Sequence, residues 1–267
     1  MTLAVAAGTL TRVYSRASPR DGLAGRFAPV AQLSDDSALT VVLALLDEQT
    51  GALLGTAQTL DDAAVRAPSR LPGWSRGHVL THLARNADGL RGVLTAAAAG
   101  VRASMYRSWQ VRDADIEAGA DRPAAALIDD VLGSAEALRE ALRRYPNDLD
   151  ARFTSPAGWW RPVRDIPWFR CREVVLHHVD LGAGFTLARA PEVAERLVAE
   201  TVELFADRDG VPGLDLVATD TDRRRRLRGG GPVIAGTTPE LAGWLTGRGD
   251  GGALSAEGPL PTLPPWA

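Results

Sequence analysis

The chain runs to 267 residues, 45% hydrophobic and 24% charged, with a formal net charge of −3. These are the proportions of a soluble globular protein of one large domain or two modest ones, and the slight negative charge argues against attraction to nucleic acid or to an anionic membrane. No apolar run approaches the roughly 18 residues a membrane span needs, and the single cysteine, Cys171, excludes an internal disulfide and points to a reducing, cytoplasmic setting.

Residues 1–34 mix Gly, Pro, Ser and Arg without periodicity, and no basic residue precedes their apolar part. They read as a disordered extension, not as a signal peptide. From Ser37 to Thr59, Leu39, Val42, Leu43, Leu46, Leu53 and Leu54 recur at helical spacing, although Gly51 and Gly55 weaken the pattern. Two prolines and a glycine make residues 66–74 a loop. Ser75 is then the N-cap of a long helix to about Ala99, with Val79, Leu83, Leu90, Val93 and Leu94 on its apolar face. Gly100 stops that helix, and residues 101–120 read as a loop entering a short helix.

Pro123 suits the first turn of a third long helix, whose stripe is Leu127, Val131, Ala135, Leu138 and Leu142 and whose end is Pro146 and Asn147. Residues 153–167 are loop or short strand. A fourth helix covers Trp168 to Leu181, and Gly182 and Gly184 stop it. Four helices with long connections make a bundle, expected over residues 35–184.

After Gly184 the pattern changes. Residues 191–205 are an amphipathic helix, 214–220 and 232–236 read as strands, and 238–247 as a final helix ended by Gly247. The closing GPLPTLPPWA is too rich in proline for regular structure. The expected fold is therefore an N-terminal four-helix bundle followed by a small C-terminal α+β domain over residues 185–267.

The chain has only four histidines, and they fall in two short segments. His78 and His82 lie in WSRGHVLTHLARN; His177 and His178 lie in CREVVLHHVDLGAG, with Glu173 four residues before His177. Residues four apart on a helix share a face, so each segment presents a pair, and two facing helices can join such pairs at one ion. Carboxylate and imidazole donors suit Zn2+, and three protein ligands leave a position open for chemistry. The same set accepts Fe2+, Mn2+ or Ni2+. A Glu and a His four apart are usually no more than a solvated pair; the argument for a metal is that both segments together hold every histidine. His178 points about 100° away from His177 and does not join the same ion. Periodicity does not choose between His78 and His82.

These residues resemble a known family. LPGWSRGHVLTHLARNADGL, REVVLHHVDLGAGF, PELAGWLTGR and a closing LPPW, in this order over residues 37–267, are similar to the mycothiol-dependent maleylpyruvate isomerases, a branch of the DinB-like four-helix metal proteins. The resemblance implies a zinc ion held by His82, Glu173 and His177, and so selects His82 over His78. It also implies an essential arginine from the C-terminal module, best matched by Arg248, and mycothiol as cofactor. By itself Arg248 is an ordinary helix-end arginine meeting the dipole.

The implied reaction turns maleylpyruvate into fumarylpyruvate, as in gentisate-type aromatic degradation. A thiolate adds to the cis double bond, the resulting single bond rotates, and the thiolate leaves. A free thiol is mostly protonated at neutral pH, whereas one coordinated to Zn2+ is ionised. Arg248 would hold a substrate carboxylate or the developing enolate, which makes it, with the ligand His82, the catalytic candidate. Arg85 and Asn86, one turn beyond His82, face either the cavity or solvent; Arg85 joins Arg248 as a candidate for binding the cofactor.

Other features carry less. Asp180, three residues after His177, could orient that imidazole, but a plain helix-end carboxylate is the simpler expectation. Cys171 has no evident activating neighbour and reads as buried and inert. RRRRLR at 223–228 stands among aspartates and reads as a solvated strand face. The expected partners are a small-molecule substrate and a low-molecular-weight thiol, with no nucleic acid and no membrane, and the chain is expected to be a monomer. The competing readings are a mycothiol-dependent S-transferase acting on another electrophile and a non-catalytic, zinc-binding regulatory protein. A zinc hydrolase lacks its general base, since no H-E-x-x-H occurs.

Overall fold

The computed structural model describes residues 36–144, 149–154 and 160–266. The expected extension at 1–34 and the helix end at Pro146 and Asn147 lie outside these residues. Four long helices form the first part: α1 (Asp36–Ala57), α3 (Arg76–Ala98), α5 (Ala124–Arg143) and α6 (Ile166–Asp180). Two short helices, α2 (Asp62–Arg66) and α4 (Trp109–Ala120), lie between them; α2 was not signalled by periodicity. The expected helices are all present, and the stripe positions Leu127, Val131, Leu138 and Leu142 of α5 are buried. The ambiguous stretch before α6 is a two-stranded antiparallel ribbon, β1 (Arg152–Thr154) with β2 (Trp160–Pro162).

Antiparallel α3 and α6 are fastened at one end. Arg76, in the first turn of α3, donates from Nε to the Leu181 carbonyl at 2.7 Å and from Nη2 to that of Gly182 at 3.3 Å. The Arg70 backbone N–H donates to the Asp180 carbonyl at 2.7 Å. The last carbonyls of α6, which have no partner within the helix, are thus met by a cation and an amide. Gly182 then turns the chain away at a φ of 63°, where glycine carries no Cβ penalty. Gly77 lets α4 lie against α3, because a Cβ there would collide with the Ala120 carbonyl.

The second part is α7 (Pro191–Phe205), β3 (Leu214–Ala218), β4 (Arg223–Leu227), β5 (Val233–Gly236), α8 (Thr238–Leu245) and β6 (Ser255–Ala256). The sheet order is β4-β3-β5-β6, with β3 parallel to β5 and the outer pairs antiparallel. Leu214, Leu216 and Ala218 point from β3 into the core. The arginine run is the edge strand β4, as a solvated strand face should be. The proline-rich end is irregular but anchored: Trp266 is buried, and its Nε1 donates to Thr201 Oγ1 at 2.7 Å. One apolar cluster runs from Val42 in α1 to Trp266. Among the described residues no helix is long and apolar enough to cross a membrane.

Candidate metal centre

The start of α3 decides which of its histidines is available. Ser75 Oγ accepts from the His78 backbone N–H at 3.3 Å, and His78 Nδ1 accepts from the Ser75 N–H at 3.2 Å, closing a capping box. The other ring nitrogen of His78 lies 3.2 Å from Glu117 Oε2. His78 is therefore engaged with the helix cap and α4. One turn on, His82 is 2% exposed and faces α6.

There His82 Nε2 lies 3.2 Å from Glu173 Oε2, and His177 Nε2 lies 3.6 Å from the same oxygen. The two imidazoles meet edge to face, with ring centres 4.5 Å apart. One donor atom from each of the three residues lies within 4.8 Å of the others. Two donors bound tetrahedrally to one zinc at its usual bond lengths stand roughly 3.3 Å apart, so the spacing fits. The side chains of the two histidines are 3% and 6% exposed and that of Glu173 20%, which puts the approach to the centre on the Glu173 side.

The charge state also fits a cation. Burial, and then the neighbouring His177, push the His82 imidazole down to about 3, so it is neutral. Burial opposes ionisation of Glu173, but His177 at 3.6 Å and His82, hydrogen-bonded at 3.2 Å, outweigh it and hold the carboxyl well below its ordinary value. Burial likewise opposes protonation of His177, yet Asp180 and Glu173 outweigh it and raise its pKa. A buried carboxylate thus draws a proton onto His177, and a divalent cation at the same donors would release it. One adjustment is required. Arg112 Nη2 donates to His82 Nδ1 at 3.1 Å, which leaves the ring proton on Nε2. Coordination through Nε2 would require that proton on Nδ1, the atom that Arg112 faces here.

Asp180 is not the plain helix-end carboxylate of the simpler expectation. It is 2% exposed. Its Oδ2 lies 3.0 Å from His177 Nδ1, at ion-pair distance though not aligned as a hydrogen bond. Both its oxygens also accept from Arg248, Oδ1 from Nε at 3.2 Å and Oδ2 from Nη2 at 2.9 Å. Arg248 follows the last turn of α8, where Gly247 reverses the chain at a φ of 72°. Its Nη1 donates to the Thr246 carbonyl at 2.8 Å, and its own carbonyl accepts from Arg70 Nη2 at 3.0 Å. Among the described residues, three of the five guanidinium N–H groups are engaged, which leaves two for a ligand.

The structure brings together His82, Glu173, His177 and, through Asp180, Arg248. Asn86 joins them, with Nδ2 3.5 Å from Glu173 Oε2. Arg85 stays apart: its Nη2 bonds Asp130 at 2.6 Å and Asp88 at 3.0 Å. His178 points elsewhere, as its helical phase requires, bonding Thr56 Oγ1 at 2.8 Å and stacking on Phe185. Cys171 is fully buried, and burial pushes its thiol up to about 12. Sequence reasoning missed Arg112, which is 4% exposed and sits near the rings of Trp74, Tyr106 and Trp109. The only local signal was Trp109 and Arg112 three apart on one short helix.

The chain is also similar to known proteins. Residues 46–182, just over half of the chain, match the family described as the mycothiol maleylpyruvate isomerase N-terminal domain. Among solved structures, the crystal structure of the mycothiol-dependent maleylpyruvate isomerase is similar with a TM-score of 0.78 and 28% identity, over 84% of this chain and 96% of that one. A histidine-to-alanine mutant of that enzyme gives 0.77 and 27%, with the same coverage. No curated protein matches the sequence.

Proposed function

This chain belongs to the mycothiol maleylpyruvate isomerase N-terminal domain family, and from that premise we propose that it is a mycothiol-dependent maleylpyruvate isomerase, converting maleylpyruvate to fumarylpyruvate with the assistance of zinc. The observation that carries the reading is the linkage of Arg248, from the C-terminal part, to a His-Glu-His centre inside the bundle. A metal site alone would suit many activities. A metal site with a fixed guanidinium beside it suits a reaction that places a thiol and an anionic carbonyl compound side by side.

His82, Glu173 and His177 are the residues that would hold the ion. Bound there, zinc would keep the thiol of mycothiol ionised for reversible addition to the cis double bond. The remaining work falls to the chain. Arg248, braced by Asp180 and Thr246, would bind a substrate carboxylate or the enolate oxygen with its two free N–H groups. Asp180 keeps a negative charge beside His177 Nδ1, which favours the tautomer with its proton there and its Nε2 toward Glu173. Trp74, 5.7 Å from His82 between ring centres, helps to keep water from the buried side of the centre. In this reading the enzyme acts in a reducing cytoplasm, as a monomer, with a low-molecular-weight thiol and a small substrate as its partners, in gentisate-type aromatic degradation.

The test is isomerisation of maleylpyruvate by zinc-loaded protein with and without mycothiol. The reading expects thiol-dependent formation of fumarylpyruvate with mycothiol recovered unchanged. Stoichiometric consumption of mycothiol would replace it with an S-transferase. No turnover of any kind from folded, zinc-loaded protein would leave a zinc-binding regulatory protein.

A further inference from the structure

The three donor residues of the centre are backed by partners of different kinds. Behind His177 stands a carboxylate, with Asp180 Oδ2 3.0 Å from Nδ1. Beside Glu173 stands an amide, with Asn86 Nδ2 3.5 Å from Oε2. That amide is turned the right way for a carboxylate, because Arg170 Nη1 donates to Asn86 Oδ1 at 2.8 Å and leaves Nδ2 toward Glu173. Behind His82 stands a cation, with Arg112 Nη2 3.1 Å from Nδ1. A metal-bound imidazole donates its other ring N–H, ordinarily to a carboxylate, a carbonyl or water. His177 has such an acceptor. His82 faces a guanidinium, which only donates.

Arg112 is firmly placed. It is 4% exposed, and its Nη1 donates to Asp113 Oδ1 at 2.7 Å. Its guanidinium carbon lies 5.4, 5.8 and 6.0 Å from the ring centres of Trp109, Tyr106 and Trp74, within reach of cation–π attraction. Without a metal the arrangement is consistent: Nδ1 of His82 accepts from Arg112, and Nε2 donates to Glu173 at 3.2 Å. A metal at Nε2 reverses the need at Nδ1. Two donors would then face each other, with one positive charge close to another.

We propose that Arg112 is a positioning residue that acts through His82 to weaken metal binding, by holding the ring in the tautomer that presents an N–H, and not a lone pair, to the centre. The proposal rests on the metal centre of the reading above and is independent of the isomerase reaction.

Chelator competition on the full-length protein, with zinc alone as the probe, tests it. Arg112→Met removes the opposing donor and should tighten zinc several-fold. Arg112→Gln also offers a carbonyl that accepts from Nδ1–H, and should tighten it about tenfold or more, the lower end of what a supporting partner contributes. Arg112→Lys keeps donor and charge and should stay within a few-fold of the parent. Loss of a merely structural residue would loosen the site, not tighten it. The Asp113 side chain is 65% exposed, so none of the variants strands a buried charge, and all should keep the helical circular-dichroism signal. Independently of the metal, 1H–15N NMR of the metal-free parent should find the His82 ring proton on Nε2. That proton on Nδ1, unchanged or weaker zinc affinity in whichever of Arg112→Met and Arg112→Gln folds, or equal tightening in Arg112→Lys would each overturn the proposal and leave the centre in place. Zinc binding by neither parent nor variants would remove the centre and the proposal together.

Discussion

Asp180 holds Arg248 at two points, Nε donating to Oδ1 at 3.2 Å and Nη2 to Oδ2 at 2.9 Å, while the same Oδ2 lies 3.0 Å from His177 Nδ1. One carboxylate thus braces a metal-site histidine and an arginine 68 positions further along the chain. Asp180→Asn keeps the shape and removes the charge. It is expected to weaken zinc binding roughly 10–100-fold, the usual effect of losing such a supporting partner. It should also lower kcat/KM when zinc is saturating, because Arg248 loses its brace. Competition with a chromophoric chelator measures the first effect, and unchanged zinc affinity would show that Asp180 does not support His177.

Arg248 separates metal binding from catalysis. It touches none of the three donor residues in the described contacts, so Arg248→Ala should keep one zinc per chain. Its loss of activity should be on the order of 100-fold or more, as for removal of a donor to a developing oxyanion. Arg248→Lys should rescue little, since an ammonium cannot reproduce the two-point contact with Asp180. Activity within a few-fold of the parent in Arg248→Lys would mean that only charge matters there.

Much of this was legible in the sequence. Stripes such as Leu127, Val131, Leu138 and Leu142 report burial directly, because a helix repeats its face on a fixed period. The confinement of the histidines to two segments pointed to the centre, and the phase of His178 excluded it correctly. The choice between His78 and His82 was beyond periodicity. It depends on a histidine taking the capping-box place usually held by Glu or Gln. Arg112, and the hold of Asp180 on Arg248, were hidden for another reason. Their roles arise from segments brought together by tertiary packing: Arg112 from α4 against His82 of α3, and Asp180 from α6 against the turn after α8. No local pattern encodes such a meeting.

The metal centre has a direct test in its ligands. Elemental analysis of the purified protein is expected to find close to one zinc per chain, falling below a tenth of that in His82→Ala or Glu173→Gln. The apolar cluster that builds the bundle does not need the ion, so both variants should keep the helical circular-dichroism signal. A chelator should abolish activity reversibly. Zinc retained at full stoichiometry in both variants would move the site elsewhere.

Cys171 should be silent. It has no exposed surface, and burial pushes its thiol up to about 12, far above working pH. Reaction with a disulfide reagent at pH 8 should be undetectable over an hour in native protein and complete after unfolding. Cys171→Ala should retain isomerisation within a few-fold, because the reacting thiol comes from the cofactor. Stoichiometric labelling of the native chain, or loss of turnover in a folded Cys171→Ala variant, would make this cysteine a participant.

Glu195 supplies a pH-dependent clamp between α7 and β4. Its Oε1 accepts from Arg223 Nη1 at 2.8 Å and from Arg225 Nη2 at 2.7 Å. Partial burial would raise its pKa, but the two arginines outweigh burial and lower it. A carboxyl with a depressed folded pKa adds stability above its unfolded value, near 4.3, and loses it as pH falls through the folded value. Solvent reaches this clamp, with the Glu195 side chain 21% exposed, so its worth is limited to about 1 kcal/mol. Urea denaturation at pH 7 should therefore find Glu195→Gln less stable by up to that amount. The difference should shrink as pH falls below 4, where the parent carboxyl takes up its proton. A deficit that stayed constant down to pH 3 would assign the loss to packing of the side chain instead of its charge.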